Sequence, residues 1–360
     1  MRRPLLAALV QLIFAGFVGV TAVAAQSISV LYREPADAFE ILDHVSEWWP
    51  GYVEAAYRKH WVDSIGFRTG DSAVFARYAQ LREKYFDKRG QGYSAPRRDG
   101  SGLFTDRATL NADPVGAAFY RSETFDAAFD ALRPVVTPDD LRFLRTFYAR
   151  FRPRIATMVA QTRSLTEASR VATAATVSSP DVSAYLDQVR RLFGVDTATP
   201  FTALYIWWPD TLQRMASPNG RHLLLRVRPT PGETVNSADV VAHEAMHVLA
   251  SLMPEVLQRE LSAALLDRCT VPSGVRRLAV VEEPIATALG NIEFRRRFMP
   301  QRFAWGRRWY GDDWVDMSAR LLYPVLTASL ADGKPLGVAF GRDAGALCAL
   351  QARTRGVPAP

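Results

Sequence analysis

The chain has 360 residues, 48% of them hydrophobic and 22% charged, which is ordinary for a globular protein and excludes wholesale disorder. The length leaves room for two domains. The net charge is +7, carried by 40 arginines and only four lysines. Because no basic run is interleaved with aromatic residues, the sequence does not predict a nucleic-acid groove.

The N-terminus has the pattern of a secretory signal peptide. A short basic segment precedes an uncharged apolar run from Leu5 to Val23, and small residues follow at Ala24 and Ala25. We therefore predict a signal peptide over residues 1–25 and a periplasmic or secreted mature chain with no stable membrane insertion. An uncleaved membrane anchor is the alternative. Cleavage removes two arginines and no acid, which lowers the net charge from +7 to +5.

Residues 26–195 predict a helical N-terminal domain whose role the sequence does not define. Its clearest signal is Thr137-Pro138-Asp139-Asp140. Thr in the N-cap position, Pro at the first helical position and acids in the first turn are typical of a helix start. Apolar residues then recur at helical spacing, and we expect this helix to end at Pro153.

Residues 196–360 have a different pattern, in which strands precede helices. Two segments rich in β-formers predict strands, Phe201–Trp208 and Leu223–Arg228, with a loop between them from Pro209 to Gly220. Helical patterns follow over 237–253, 255–268 and 274–298, the last interrupted at Pro284. The sequence therefore predicts an α+β fold, mostly α-helical, in which a domain with a small β-sheet follows the helical domain.

The predicted helix over 237–253 contains His243-Glu244-Ala245-Met246-His247, an H-E-x-x-H motif. Residues i and i+4 share a helix face, so both imidazoles can bind one zinc ion, while Glu244 lies about 100° round the helix. There its carboxylate can act as a general base. Shuffling this composition would give the motif in about two chains per thousand, and the alternative, two core histidines beside a buried unpaired Glu, is costly.

Zinc requires a third protein ligand, and the sequence offers two adjacent acids for it. No histidine follows His247, which excludes the metzincin pattern. Glu282 and Glu283 lie in an otherwise apolar stretch, the second of them 36 positions after His247, and either can complete a His₂Glu set. The alternative is a helix N-terminus at Pro284, where acids interact favourably with the helix dipole.

With these motifs the chain resembles the gluzincins, the zincin metallopeptidases whose third ligand is a Glu followed three residues later by a small residue. Glu283-Pro284-Ile285-Ala286 matches that form. The resemblance implies Glu283 as the third ligand, with Glu282 as the fallback, and it covers residues 196 to about 300. It also implies a zincin-like catalytic domain in which an edge strand before the metal helix, here Leu223–Arg228, holds an extended substrate. An interior strand is the alternative.

The motif and the resemblance together lead us to expect an exported zinc-dependent metallopeptidase acting on peptides or proteins. Glu244 would take a proton from zinc-bound water. Two other functions remain open: a catalytically inactive zincin-fold module that binds the cell envelope or serves as a scaffold, and a zinc hydrolase of a non-peptide amide. Tyr310 and Tyr323 are candidates for stabilising the oxyanion, and the sequence does not rank them.

The chain has two cysteines, Cys269 and Cys348. In an oxidising compartment they can form a disulfide, but two separate buried thiols fit the sequence equally well. Two cysteines are too few for a Cys-rich zinc site.

Overall fold

The computed structural model describes residues 28–49, 54–86, 101–104, 113–209 and 215–354. Within them the chain is mostly helical with one small mixed sheet, which confirms the predicted α+β class with mostly helical content. The predicted signal peptide, residues 1–25, lies outside the described residues.

The described residues form four strands and a larger set of helices. The strands are β1 (Ile28–Leu31), β2 (Phe201–Trp207), β3 (Met215–Asn219) and β4 (His222–Val227). The α-helices are α1 (Glu34–Val45), α2 (Ala55–His60), α3 (Asp71–Tyr85), α4 (Pro114–Arg121), α5 (Phe125–Leu132), α6 (Pro138–Ala160), α7 (Arg163–Val177), α8 (Pro180–Leu192), α9 (Ala238–Leu252), α10 (Glu255–Leu266), α11 (Glu282–Ala286), α12 (Phe294–Phe298), α13 (Asp313–Asp332) and α14 (Val338–Thr354). A π-helical segment, Thr287–Glu293, joins α11 to α12.

The sheet has the strand order β1-β2-β4-β3, with β1 and β4 parallel to β2 and β3 antiparallel to β4. Strand β4 is therefore interior, and the expectation of an edge strand at Leu223–Arg228 is wrong. Among the described strands, β3 forms the edge on that side. It lies within the segment Pro209–Gly220, for which the sequence predicts a loop. A strand forms there because pairing with β4 outweighs the poor strand propensity of Pro218 and Asn219.

Strand β1 was not predicted, because four residues carry too little periodicity to be recognised. Ile28 and Val30 are buried, and the strand pairs with β2 in parallel register from Ile28 opposite Phe201. The sheet is covered by helices on both faces, which explains why β2 and β4 read as continuous apolar runs.

Two hydrophobic cores lie on opposite faces of the sheet. Leu204 and Ile206 of β2 pack among the helices α1 to α6, whereas Ala203 and Tyr205 face the core that includes α7 to α14. Strand β1 and helices α7 and α8, all from the predicted N-terminal domain, thus pack with the C-terminal half. The domain boundary at residue 195 stays a prediction, and both the sheet and one core cross it.

Helix α6 begins as predicted, because the Thr137 hydroxyl accepts a hydrogen bond from the amide of Asp140. It does not end at Pro153 but continues to Ala160. Phe151 before the proline and Ile155 after it are buried on one face. The free energy gained by burying these two side chains offsets the loss of the backbone hydrogen bond that Pro153 cannot donate.

A disulfide joins Cys269, just after α10, to Cys348 on α14, with 5.8 Å between the Cα atoms. Of the two possibilities left open by the sequence, the structure contains the disulfide. Helix α14 also packs closely on α10 through Gly341, where an added Cβ would lie 2.5 Å from the carbonyl oxygen of Leu261. The C-terminal helix is thereby held against α10 by packing and by a covalent bond.

Helix α9 is buried for most of its length, between the sheet and the helices that follow it. No single helix in the described part of the chain is long and apolar enough to cross a bilayer. Helices α9 and α10 pass that test only as a pair, by length and composition, and a bend of 101° separates them.

Candidate metal centre

Helix α9 presents the H-E-x-x-H motif inside the protein, as its uncharged surroundings predict. His243, Glu244 and His247 are 7%, 6% and 1% exposed. The neighbouring positions Ala242, Ala245, Met246 and Val248 are fully buried in the core on this side of the sheet. The two histidines are thus fixed on one face of a helix that packing holds in place.

Helix α11 packs against α9 and brings the two candidate acids next to the histidines. The helix begins at Glu282, so Pro284 lies in its first turn, where its missing amide hydrogen costs nothing. A helix does start in this segment, two residues before the Pro284 start that the sequence suggested, and such a start does not compete with a ligand role. Glu282 and Glu283 are 1% and 2% exposed.

Three side-chain atoms converge on one point. The Nε2 atoms of His243 and His247 are 3.2 Å apart. Glu283 Oε2 lies 3.6 Å from the first and 3.3 Å from the second. Ligand atoms bound at about 2.0–2.1 Å to one tetrahedral ion lie about 3.3–3.4 Å from each other. These residues therefore form a group that fits a metal ion.

The outer nitrogens of both histidines have fixed partners. His247 Nδ1 lies 2.7 Å from Glu282 Oε1, and His243 Nδ1 lies 2.9 Å from Asn291 Oδ1. A carboxylate only accepts, and the Asn291 amide nitrogen donates to Asp239, so both Nδ1 atoms donate. Each Nε2 atom then presents a lone pair to the other and to Glu283. Three acceptors at this spacing need a cation or a shared proton between them.

Glu282 and Glu283 have different places in this arrangement. Glu283 Oε2 lies at the point of convergence, whereas Glu282 lies behind His247 and orients its ring. Burial raises the pKa of Glu283, but the positive charge of His247 and His243, when both nitrogens of each ring carry protons, holds that pKa well below the usual range. A carboxylate that stays ionised when buried is suited to binding a cation.

The close approach of the two helices depends on Gly290 in the π-helical segment. A Cβ at this position would lie 2.3 Å from the Cα atom of His243 and 2.5 Å from its amide nitrogen. Only glycine allows this contact, which brings Asn291 within reach of the His243 ring. Neither Gly290 nor Asn291 was identified from the sequence.

The π-helical segment also explains why Asn291 was missed. It lies eight residues after Glu283, and at about 100° per residue a regular helix would offset the two by about 80°. The wider π turn reduces this offset, so both side chains face α9. Tyr185 of α8 donates a 2.8 Å hydrogen bond to the carbonyl oxygen of Leu289 and so supports the segment from the N-terminal half of the chain.

Glu244 differs in its surroundings from the two histidines of the motif. It does not belong to the three-residue group that fits a metal ion. Its Oε2 atom is buried and has no hydrogen-bond partner among the described residues. Buried carboxylate oxygens normally accept a hydrogen bond. This oxygen can therefore accept one from water or from a bound substrate.

The two candidate tyrosines are placed differently. The ring of Tyr310 stacks against that of His243, with 6.0 Å between the ring centroids. The hydroxyl of Tyr323 donates a 2.7 Å hydrogen bond to Glu293. Tyr310 is therefore the candidate that lies beside the metal-fitting group.

A separate cavity of about 510 Å³ opens elsewhere, at the carboxyl ends of β1 and β2. Tyr32, Asp37 and Trp207 line it, and none of the H-E-x-x-H residues does. Burial raises the pKa of Asp37 to about 7, although the Trp207 amide and the Tyr32 hydroxyl donate hydrogen bonds that oppose the shift.

Comparison of the chain with protein-family models, with curated proteins and with solved structures gives no match.

Proposed function

We propose that this protein is an exported zinc-dependent hydrolase that cleaves peptide bonds. The observation that carries the proposal is the spacing of His243 Nε2, His247 Nε2 and Glu283 Oε2, which fits a tetrahedral zinc ion with one position left open. Open positions are characteristic of catalytic rather than structural zinc sites. The unpartnered Oε2 atom of Glu244 adds the base that such a reaction requires.

Each residue has a defined role in this proposal. Zinc bound by His243, His247 and Glu283 supplies Lewis-acid polarisation of a carbonyl oxygen and a lower pKa for water. Glu244 accepts the proton of the attacking water and delivers it to the leaving amine. The contacts of Asn291 and Glu282 fix both imidazole rings so that their lone pairs face the metal.

A peptide substrate is favoured by the edge of the sheet. Strand β3 pairs with β4 on one side only among the described strands, and helix α9 packs against it. Its outer edge offers backbone groups to an extended chain close to the helix that carries His243. We propose this strand, in place of β4, as the substrate-binding edge.

Metal content tests the ligand set. We expect about one zinc per purified wild-type chain. Glu283→Gln should lose it, while Glu282→Gln should bind zinc about 10–100-fold more weakly, because only the orientation of His247 is disturbed. Wild-type protein without stoichiometric zinc after reconstitution would contradict the proposal and favour an envelope-binding module. Retention in Glu283→Gln with loss in Glu282→Gln would exchange the two roles.

Hydrolysis tests the base. Glu244→Gln should keep its zinc and lose at least about 10²-fold in kcat on a peptide-library substrate. Full activity in this variant would refute the role of Glu244. A zinc-loaded wild type that cleaves only non-peptide amides would leave the chemistry standing and change the substrate.

A further inference from the structure

An arginine cluster lies beside the candidate metal centre. It consists of Arg295 on α12 and of Arg302 and Arg307, which follow it in the chain. Arg295 and Arg307 share one aromatic neighbour, since their Cζ atoms lie 5.8 and 5.2 Å from the ring centroid of Trp309. The proposed mechanism gives none of these residues a role.

Arg295 has one guanidinium nitrogen without a hydrogen-bond partner among the described residues. Its Nε and Nη2 atoms bind Asp239 Oδ2 at 2.7 and 2.5 Å. Its Nη1 atom is buried and has no hydrogen-bond partner among the described residues, and the side chain as a whole is nearly inaccessible. Buried donors are normally satisfied, so this guanidinium lacks an acceptor that a bound molecule can provide.

Arg302 and Arg307 have no carboxylate partner in the described part of the chain. By contrast, two arginines close to them in sequence are paired, Arg308 with Asp313 and Arg320 with Asp316. Arg302 donates to the backbone oxygen of Asn236, and the guanidinium of Arg307 lies over the Trp309 ring.

The electrostatics of the cluster are dominated by like charge. Partial burial and the positive charges of Arg295 and Arg302 lower the pKa of Arg307, and Asp239 compensates only in part. One carboxylate thus faces three guanidinium groups. Such a surplus of positive charge favours the binding of an anion.

The cluster adjoins the metal-fitting group. Asn291 contacts His243 on one side and, through its amide nitrogen, Asp239 on the other. Asp239 precedes His243 by four residues, which corresponds to about 6 Å along the helix axis. An extended peptide advances about 3.3 Å per residue, so this offset spans one or two residues of substrate.

We propose that Arg295, Arg302 and Arg307 form a carboxylate-binding subsite, which selects peptides with a carboxylate one or two residues from the scissile bond. The inference rests on the proposed function and names its substrate class. The carboxylate has two possible sources, an acidic side chain or the free C-terminus of the substrate. Both present the two oxygens that guanidinium groups bind in pairs.

Binding without turnover tests the subsite. The protein is the full chain carrying Glu244→Gln and loaded with zinc. The probes are fluorescently labelled alanine hexapeptides with one Glu or one Gln at each position in turn, each with a free or an amidated C-terminus. Fluorescence anisotropy at 150 mM salt, which screens the general positive charge, gives the affinities.

We expect one Glu peptide or the free C-terminus to bind at least about tenfold more tightly than its neutral counterpart. A preference confined to free C-termini identifies the terminal carboxylate, and one confined to a Glu position identifies a side chain. Equal affinity for charged and neutral peptides overturns the proposal.

Substitution assigns the preference to the cluster. Arg307→Gln should reduce the preference to about twofold or less, and Arg302→Gln should weaken it in the same direction. Arg308→Gln is the matched control, because this arginine lies in the same loop but is paired with Asp313. Equal loss in Arg308→Gln would refute the subsite, since general charge would then explain binding.

The two proposals can fail separately. If wild-type zinc protein cleaves none of these peptides while the preference and its dependence on Arg307 remain, the peptidase is refuted and the carboxylate site stands. If wild type cleaves charged and neutral peptides equally well and binds them equally, the subsite is refuted and the peptidase stands.

Discussion

At the scale of single residues, the capacity of the candidate centre to hold a metal ion depends on which nitrogen of each histidine carries the proton. Asn291 fixes this for His243, since its amide nitrogen is engaged with Asp239 and its oxygen must accept from the ring. Glu282 fixes it for His247. The unprotonated Nε2 atoms are thereby set before any ion binds, which lowers the cost of ordering the site.

Asn291→Ala should therefore weaken zinc binding by about 10–100-fold, because the His243 ring loses the contact that orients it. Competition with a chromogenic chelator measures the affinity. Asn219→Ala at the end of β3 serves as the control and should bind zinc as the wild type does. Unchanged affinity in Asn291→Ala would mean that the packing of α9 alone orients the ring.

A second residue gives a pH-dependent effect on stability. The pKa of Asp37 is about 7 in the folded protein, because of burial, against about 3.9 in an unfolded chain. A raised carboxyl pKa means that the neutral form is favoured by folding. The contribution of Asp37 to the free energy of unfolding is therefore fully present below about pH 4, and it is lost as the pH rises through about 7.

Asp37→Asn removes this titration. Between pH 4 and pH 8 the wild type should lose a few kcal/mol of unfolding free energy relative to the variant. The magnitude follows from about 1.4 kcal/mol per unit of pKa shift. Urea unfolding at both pH values measures it. An unchanged difference at the two pH values would show that Asp37 titrates normally in the folded protein.

At the scale of elements, the centre depends on two helices whose backbones nearly touch. Helix α9 carries the histidines, and the continuous helix from α11 through the π-helical segment to α12 carries Glu283 and Asn291. Gly290 sets their separation, since a Cβ there would collide with the backbone of His243. Backbone atoms cannot move aside as a flexible side chain can, so overpacking at this contact must separate the helices.

Gly290→Ala should lower the free energy of unfolding by about 1–3 kcal/mol or more and abolish stoichiometric zinc binding. Thermal unfolding and metal content measure the two effects. Gly306→Ala is the matched control, because nothing lies within 4 Å of a Cβ at that position. Wild-type zinc content in Gly290→Ala would show that the helices tolerate a larger spacing.

At the scale of the whole molecule, the C-terminal helix is joined covalently to the layer that contains the centre. The Cys269–Cys348 disulfide spans 79 positions in sequence. Closing a loop of this length stabilises the folded state by about 4.5 kcal/mol in the chain-entropy model. Helix α11 lies within that loop, whereas α9 lies outside it.

Replacement of both Cys269 and Cys348 by alanine should therefore lower the midpoint of thermal unfolding by several degrees, since about 1 kcal/mol corresponds to a few degrees in a chain of this size. Zinc content should persist at temperatures where the variant is folded, because no ligand depends directly on the disulfide. A reductant should destabilise the wild type but leave the double variant unchanged. Equal responses would contradict a stabilising disulfide.

The sequence alone determined the features that depend on local geometry. The H-E-x-x-H spacing places His243 and His247 on one face of any α-helix, and the uncharged residues around them indicate burial. The cap at Thr137 and the apolar strand β2 are equally local. These features were therefore readable without knowledge of the fold.

Only the tertiary structure decided the features that depend on contacts between distant segments. It placed β4 inside the sheet and β3 at its edge, separated the positions of Glu282 and Glu283, and brought Asn291 to His243 across Gly290. A strand's place in a sheet and a helix's contact partner depend on long-range packing, which short-range sequence periodicity does not encode. The arginines beside the centre belong to the same class, because their shared neighbourhood arises only when the chain is folded.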